Sequence, residues 1–109
     1  MNDVKLSGRI GNDLTLRFTT EQTAVLNLRL AVDRHGHADP DWVDVTVWGK
    51  SAENVAQYCA KGDQIIVTDA YLRPGHVDVE GKKYATLTVN ANRVEFAATA
   101  ARNRQQATA

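Results

Sequence analysis

Residues 42–62 read Trp42-Val43-Asp44-Val45-Thr46-Val47-Trp48-Gly49-Lys50-Ser51-Ala52-Glu53-Asn54-Val55-Ala56-Gln57-Tyr58-Cys59-Ala60-Lys61-Gly62, and the apolar period changes once within them. Over 42–48 the period is two, the mark of a strand, with Val43, Val45 and Val47 on one side. Trp42, Asp44, Thr46 and Trp48 share the other side. Three valines suit a core, whereas a face carrying Asp and Thr suits solvent, so both tryptophans of the chain fall on the surface. Indoles left there call for a reason: a binding surface, contact with another subunit, or a cap on the end of a barrel. After Trp48 the spacing turns helical. Ala52, Val55, Ala56 and Cys59 share a face, Ser51 reads as the N-cap and Gly62 as the stop, which predicts a helix of about ten residues.

Short strands flank this unit. Val4 to Ile10 forms the first, with Gly8 marking a bulge or a close backbone approach. Gly11-Asn12-Asp13 is turn chemistry and leads into the alternating Leu14, Leu16 and Phe18. In the next strand Leu26, Leu28, Leu30 and Val32 face inward, and Val25, Asn27, Arg29 and Ala31 face outward. Arg34-His35-Gly36-His37-Ala38-Asp39-Pro40 is a loop. Beyond the helix, Gln64 to Leu72 is a strand, and Arg73-Pro74-Gly75 opens an excursion that closes near Gly81-Lys82-Lys83. Tyr84 to Phe96 then forms a long strand or bent hairpin. Three strands, a helix and two strands are the order of an OB-fold, an all-β, five-stranded Greek-key barrel with its one α-helix between strands three and four.

The 109 residues suffice for a single domain, read as residues 3–96, and a 43% hydrophobic fraction fits a modest core. After Glu95 no acid appears, and residues 97–109 read as a weakly basic, flexible tail. One cysteine, Cys59, excludes an internal disulfide and fits a reducing cytosol; its place on the apolar helix face makes it core. No apolar run approaches the ~20 residues of a membrane span. Thirteen basic residues balance thirteen acidic ones, so binding to a polyanion has to rest on where the charges lie.

Exposed aromatics interleaved with bases are the chemistry of single-stranded nucleic-acid binding, in which rings stack on bases and cations track phosphates. The candidates are Trp42 and Trp48 for stacking, with Lys50, Arg29, Arg34, Arg73, Lys82 and Lys83 for phosphate. Tyr84 either stacks or fills the barrel end. His35, His37 and Asp39 lack a further ligand, so no metal and no cofactor is expected. Asp39, Asp41 and Asp44 lack the companion base of a two-metal nuclease, and no catalytic residue is assigned.

The chain resembles the bacterial single-stranded DNA-binding proteins. The resemblance is carried by Val4-Lys5-Leu6-Ser7-Gly8-Arg9-Ile10-Gly11-Asn12-Asp13, Leu28-Arg29-Leu30-Ala31-Val32, Trp42 through Tyr58, Lys61-Gly62-Asp63-Gln64, Leu72-Arg73 and Asn92-Arg93-Val94-Glu95-Phe96, in that order. It implies an OB-fold that binds single-stranded DNA without sequence preference, as a homotetramer or, alternatively, a dimer, in the cytoplasm at the nucleoid. Trp42 matches a stacking tryptophan, Trp48 a position held by an aromatic, Lys50 and Lys61 basic positions near the DNA path, and Arg73 a basic position where the long loop begins. The alternative is an OB-fold interaction module of a primosome or replication complex with weak DNA affinity. Departures are informative. His35-Gly36-His37 and His76-Val77 stand where relatives carry further stacking tryptophans, and His76 has the smaller ring. Asp44 lies between the tryptophans, Asp69 replaces a glycine, and the turn Thr20-Glu21-Gln22-Thr23 lacks one. Residues 97–109 carry Arg102 and Arg104 in place of an acidic, Phe-tipped tail, as in a truncated or tail-less relative, so recruitment of repair enzymes is not expected of them.

Overall fold

Leu26, Leu28, Leu30, Val45 and Val47 are all buried, so the inward faces of β3 (Ala24–Val32) and β4 (Asp41–Trp48) form the centre of the core. The computed structural model describes residues 1–96; the tail expected over 97–109 lies outside the described residues. The other elements are β1 (Val4–Ile10), the two-residue β2 (Arg17–Phe18), α1 (Gly49–Tyr58), β5 (Gln64–Val79) and β6 (Lys82–Phe96). The sheet runs β1-β5-β6-β4-β3-β2, and a second pairing of β1 with β3 closes five strands into a ring. Counting the ring strands alone, the helix falls between the third and fourth, the OB order.

Closure needs Gly8. β1 meets β3 at Arg9↔Ala31 and Ile10↔Leu30, and a Cβ on Gly8 would press on the Ala31 carbonyl oxygen and on Leu30 Cγ. The expected close approach is therefore here, whereas the register shift of β1 lies earlier, between Val4 and Leu6. A second corner is at Asp69, whose φ of 49° is left-handed. Before it Ile65 and Val67 point inward; after it Ala70 does, so the buried parity of β5 switches across one residue and the strand turns along the barrel wall. Gln22 has φ 63° in the turn that lacks the expected glycine.

The helix has the expected length but different ends. It begins at Gly49, with Trp48 at the N-cap and no side-chain cap. The Ser51 hydroxyl donates instead to the Asn92 carbonyl at 2.8 Å, tying α1 to β6. Cys59 is the C-cap and packs partly buried against the core, and the helix stops well before Gly62 because a tight turn over 60–63 follows. In that turn Gly62 (φ 96°) donates to the Ile10 carbonyl at 2.7 Å. Ala52 and Val55 are the buried helix residues, packed with the core cluster.

Three further expectations are corrected. Val25 lies on the outer side as expected but is buried there, because it sits directly opposite Trp48 on β4. Of the alternating Leu14, Leu16 and Phe18, the two leucines pack partly against the core outside any strand, and Phe18 on the edge strand is exposed. The excursion after Leu72 is not a loop. The β5–β6 ladder continues pair by pair to Val79↔Lys82, and Glu80 and Gly81, both at positive φ, make a two-residue hairpin turn. Asn2 anchors its base: the side-chain amide donates to the Leu72 carbonyl (2.8 Å) and accepts from the Leu72 N–H (2.9 Å), extending the β1 edge by one side chain.

Candidate nucleic-acid interface

Alternation along the β3–β4 hairpin sets the composition of its outer face. Cross-strand pairs there are Ala31↔Trp42, Arg29↔Asp44, Asn27↔Thr46 and Val25↔Trp48. Trp42 is 51% exposed, as its strand position predicts. The Arg29 guanidinium lies over its ring, 5.5 Å from the centroid, although Asp44 is Arg29's direct cross-strand neighbour. Arg29 thereby places a positive charge against the exposed Trp42 ring and beside the Asp44 carboxylate.

Trp48 differs from the expectation of a solvent-facing ring. It is half-buried, and its indole N–H donates to Asn90 Oδ1 at 3.0 Å. Asn90 belongs to β6, which pairs in parallel with β4 at Thr46↔Asn90, and is itself 6% exposed. The second tryptophan is thus partly consumed in joining β4 to β6 and covering Val25. A second polar contact links the middle of the face, where the Thr46 hydroxyl donates to Asn27 Oδ1 at 3.2 Å.

From Asn90 the face continues onto the ribbon. Tyr71↔Asn90, Arg73↔Thr88, Gly75↔Thr86, Val77↔Tyr84 and Val79↔Lys82 share a side by alternation. Arg73, Tyr84 and Lys82 therefore extend the tryptophan face. His76, opposite Ala85, and Lys83, opposite Asp78, are on the reverse side of the ribbon. Tyr84 is exposed on the ribbon, which removes the alternative that it fills the barrel end. Lys50 is exposed in the first turn of α1, two residues beyond Trp48. Lys61 is exposed in the 60–63 turn, bonded through Gly62 to Ile10 beside Gly11, the residue against which the Trp42 ring rests. Arg34 is engaged locally: Nε is 3.4 Å from Asp41 Oδ1 and Nη2 is 3.3 Å from His37 Nε2. That pair is largely solvated and holds Arg34 only weakly.

The structure thus gathers Trp42, Arg29, Trp48, Arg73, Lys82 and Tyr84 on one continuous face, with His76 and Lys83 behind the ribbon and Lys50 and Lys61 exposed in the helix and turn that follow β4. Three contributors escaped the sequence reading: Gly11, Tyr71 and Asn90. Asn90 left a trace there, as an amide between Val89 and Ala91 in an apolar strand needs a partner. Among the described residues no three His, Cys, Asp or Glu side chains come together as a metal site, and no helix is long and apolar enough to cross a membrane.

A closed five-strand ring with its helix between the third and fourth strands, carrying aromatic and basic groups on one outer face, defines an OB-fold of the kind that offers a stacking platform. The chain belongs to the single-strand binding protein family, whose profile residues 1–97 match. It is 36% identical over 100 residues to single-stranded DNA-binding protein B of Bacillus subtilis (strain 168), covering 87% of this chain and 88% of that one. Over 101 residues it is 36% identical to single-stranded DNA-binding protein 2 of Listeria monocytogenes, covering 88% of this chain and 63% of that one. A single-stranded DNA-binding protein of Treponema pallidum is 30% identical over 102 residues, with 57% of its length covered. This chain therefore spans less than two thirds of the Listeria and Treponema relatives.

Proposed function

We propose that this protein is a non-catalytic binder of single-stranded DNA that holds and protects exposed strands, without base-sequence preference, in replication, repair or recombination. The observation that carries the reading is Trp42: an indole half open to solvent, with a guanidinium at 5.5 Å, on the outer sheet face of a chain belonging to the single-strand binding protein family. A base stacked on such a ring gains ~1–3 kcal/mol whatever its identity, because every base has a π-face. Trp42 is the principal platform; Trp48 offers its remaining exposed area, and Tyr84 a further ring on the ribbon. Arg29, Lys50, Arg73 and Lys82 contact phosphates along this face. Lys61 and Arg34 lie at its edges, and Lys83 and His76 serve a strand that wraps behind the ribbon.

The same family reading supports a homotetramer acting in the cytoplasm at the nucleoid, an arrangement that lets one strand cross several copies of the face. Titration with poly(dT) and with duplex DNA at two salt concentrations, followed by tryptophan fluorescence, tests the function. Quenching by poly(dT), weak response to duplex and a loss of affinity for Trp42→Ala are expected. Unchanged fluorescence and unchanged affinity in a folded Trp42→Ala protein would refute it, and strong capture of a replication protein alongside negligible DNA affinity would favour an interaction module.

A further inference from the structure

We propose that Gly11 is a positioning residue for the Trp42 indole, an inference that rests on the reading of Trp42 as the stacking platform. Glycine at position 11 is not required by the backbone. Gly36, Gly49, Gly62 and Gly81 take positive φ, and Gly11 does not. What denies this position a side chain is the space above it. A Cβ there would run into the six-membered ring of Trp42 at Cζ3 and Cη2 and would lie 3.2 Å from the Arg29 carbonyl oxygen. The indole therefore rests directly against main chain.

That main chain is itself fixed. Gly11 N–H donates to the Arg29 carbonyl at 2.7 Å. The next residue, Asn12, accepts from the Arg29 N–H through Oδ1 at 2.7 Å, and its Nδ2 donates to the Asn27 carbonyl at 3.2 Å and to the Asp13 carbonyl at 3.1 Å. The Gly11-Asn12 elbow is thus held to β3 at the residue whose guanidinium covers the Trp42 ring. Main chain and guanidinium together hold the ring in one orientation before any base arrives, so less side-chain freedom is lost on stacking. A methyl at position 11 displaces the ring while leaving its chemistry intact.

The test compares Gly11→Ala, Trp42→Ala and the double variant, using anisotropy of a dye-labelled oligo(dT) so that the readout does not depend on the tryptophans, with thermal melts alongside. Trp42→Ala is expected to weaken binding between about fivefold and 150-fold. Gly11→Ala is expected to weaken it roughly three- to tenfold, a part of the same loss. In the double variant the affinity matches Trp42→Ala to within about twofold, because with the ring gone the added methyl has nothing to displace. Wild-type affinity for Trp42→Ala would sink the stacking reading itself. A weakened Trp42→Ala with an unaffected Gly11→Ala, or a double variant that loses the product of the two single effects, would overturn the positioning role alone. Should Gly11→Ala not fold, the double variant decides: folded with Trp42→Ala affinity it supports the role, and unfolded it refutes it.

Discussion

Asn90→Ala removes the acceptor of the Trp48 indole N–H, the 3.0 Å bond that ties β4 to β6 on the outer face. A neutral hydrogen bond of this kind contributes about 1 kcal/mol net, and a donor left half-buried without a partner adds to the loss, so the variant should be destabilised by about 1–2 kcal/mol. For a domain of this size each kcal/mol lowers Tm by roughly 4–8 °C. The bond can be isolated from simple truncation by a cycle with Trp48→Phe, which keeps a ring over Val25 but has no N–H to satisfy. If the bond is the link, the double variant is more stable than the sum of the singles predicts by about 1 kcal/mol. Urea unfolding at one fixed protein concentration provides the numbers, with the midpoint moving and the slope unchanged. Additivity within about 0.3 kcal/mol would refute the reasoning.

Other changes follow from the same geometry. Gly8→Val forces a side chain against the Ala31 carbonyl where the barrel closes, and should cost about 2–3 kcal/mol in chemical unfolding; a loss no larger than that of a surface substitution would contradict the closure account. Gln22→Gly relieves a left-handed residue in an exposed turn and should raise stability by about 0.5–1 kcal/mol, whereas Gln22→Ala should not, as paired thermal melts would show. If Arg73 and Lys82 each neutralise a phosphate, replacing either with Ala should reduce the slope of log K against log salt for oligo(dT) by about 0.7. An unchanged slope in both would remove the ribbon from the binding face.

The barrel order was legible because period-two valines at 43–47 give way to helical spacing after Trp48, and few folds place one helix at that point among short strands. Trp42 was legible for the same reason: alternation alone assigns its side of the sheet. Trp48 lies on the face that alternation assigns, but its half-burial was not legible, because alternation gives a face and not a neighbour, and its hydrogen-bond partner comes from a strand more than forty residues later. The burial of Val25 was hidden with it, as the other half of that cross-strand pair. Ser51 shows the limit of cap propensities: the helix begins two residues before it, at Gly49, and its hydroxyl donates to the Asn92 carbonyl across the fold. Arg73-Pro74-Gly75 carries strong loop signals, yet in an isolated two-stranded ribbon a proline can occupy a position that owes no ladder hydrogen bond. Gly11 left no sign of its role, since a glycine kept for a ring's clearance looks like any turn glycine in the sequence.

The β5–β6 pair is one ladder with two mechanical grades. Below Leu72 its strands are staves of a closed barrel, backed by Ile65, Val67, Ala70, Val89 and Ala91. Above it the same strands run on to the Glu80-Gly81 turn with exposed Val77, Val79, Tyr84 and Leu87 and no buried layer beneath them. A two-stranded ribbon without a core is only marginally stable by itself, so this one depends on its root, where Asn2 clamps the Leu72 backbone. The molecule thus joins an anvil with a packed core to a finger supported only at its root.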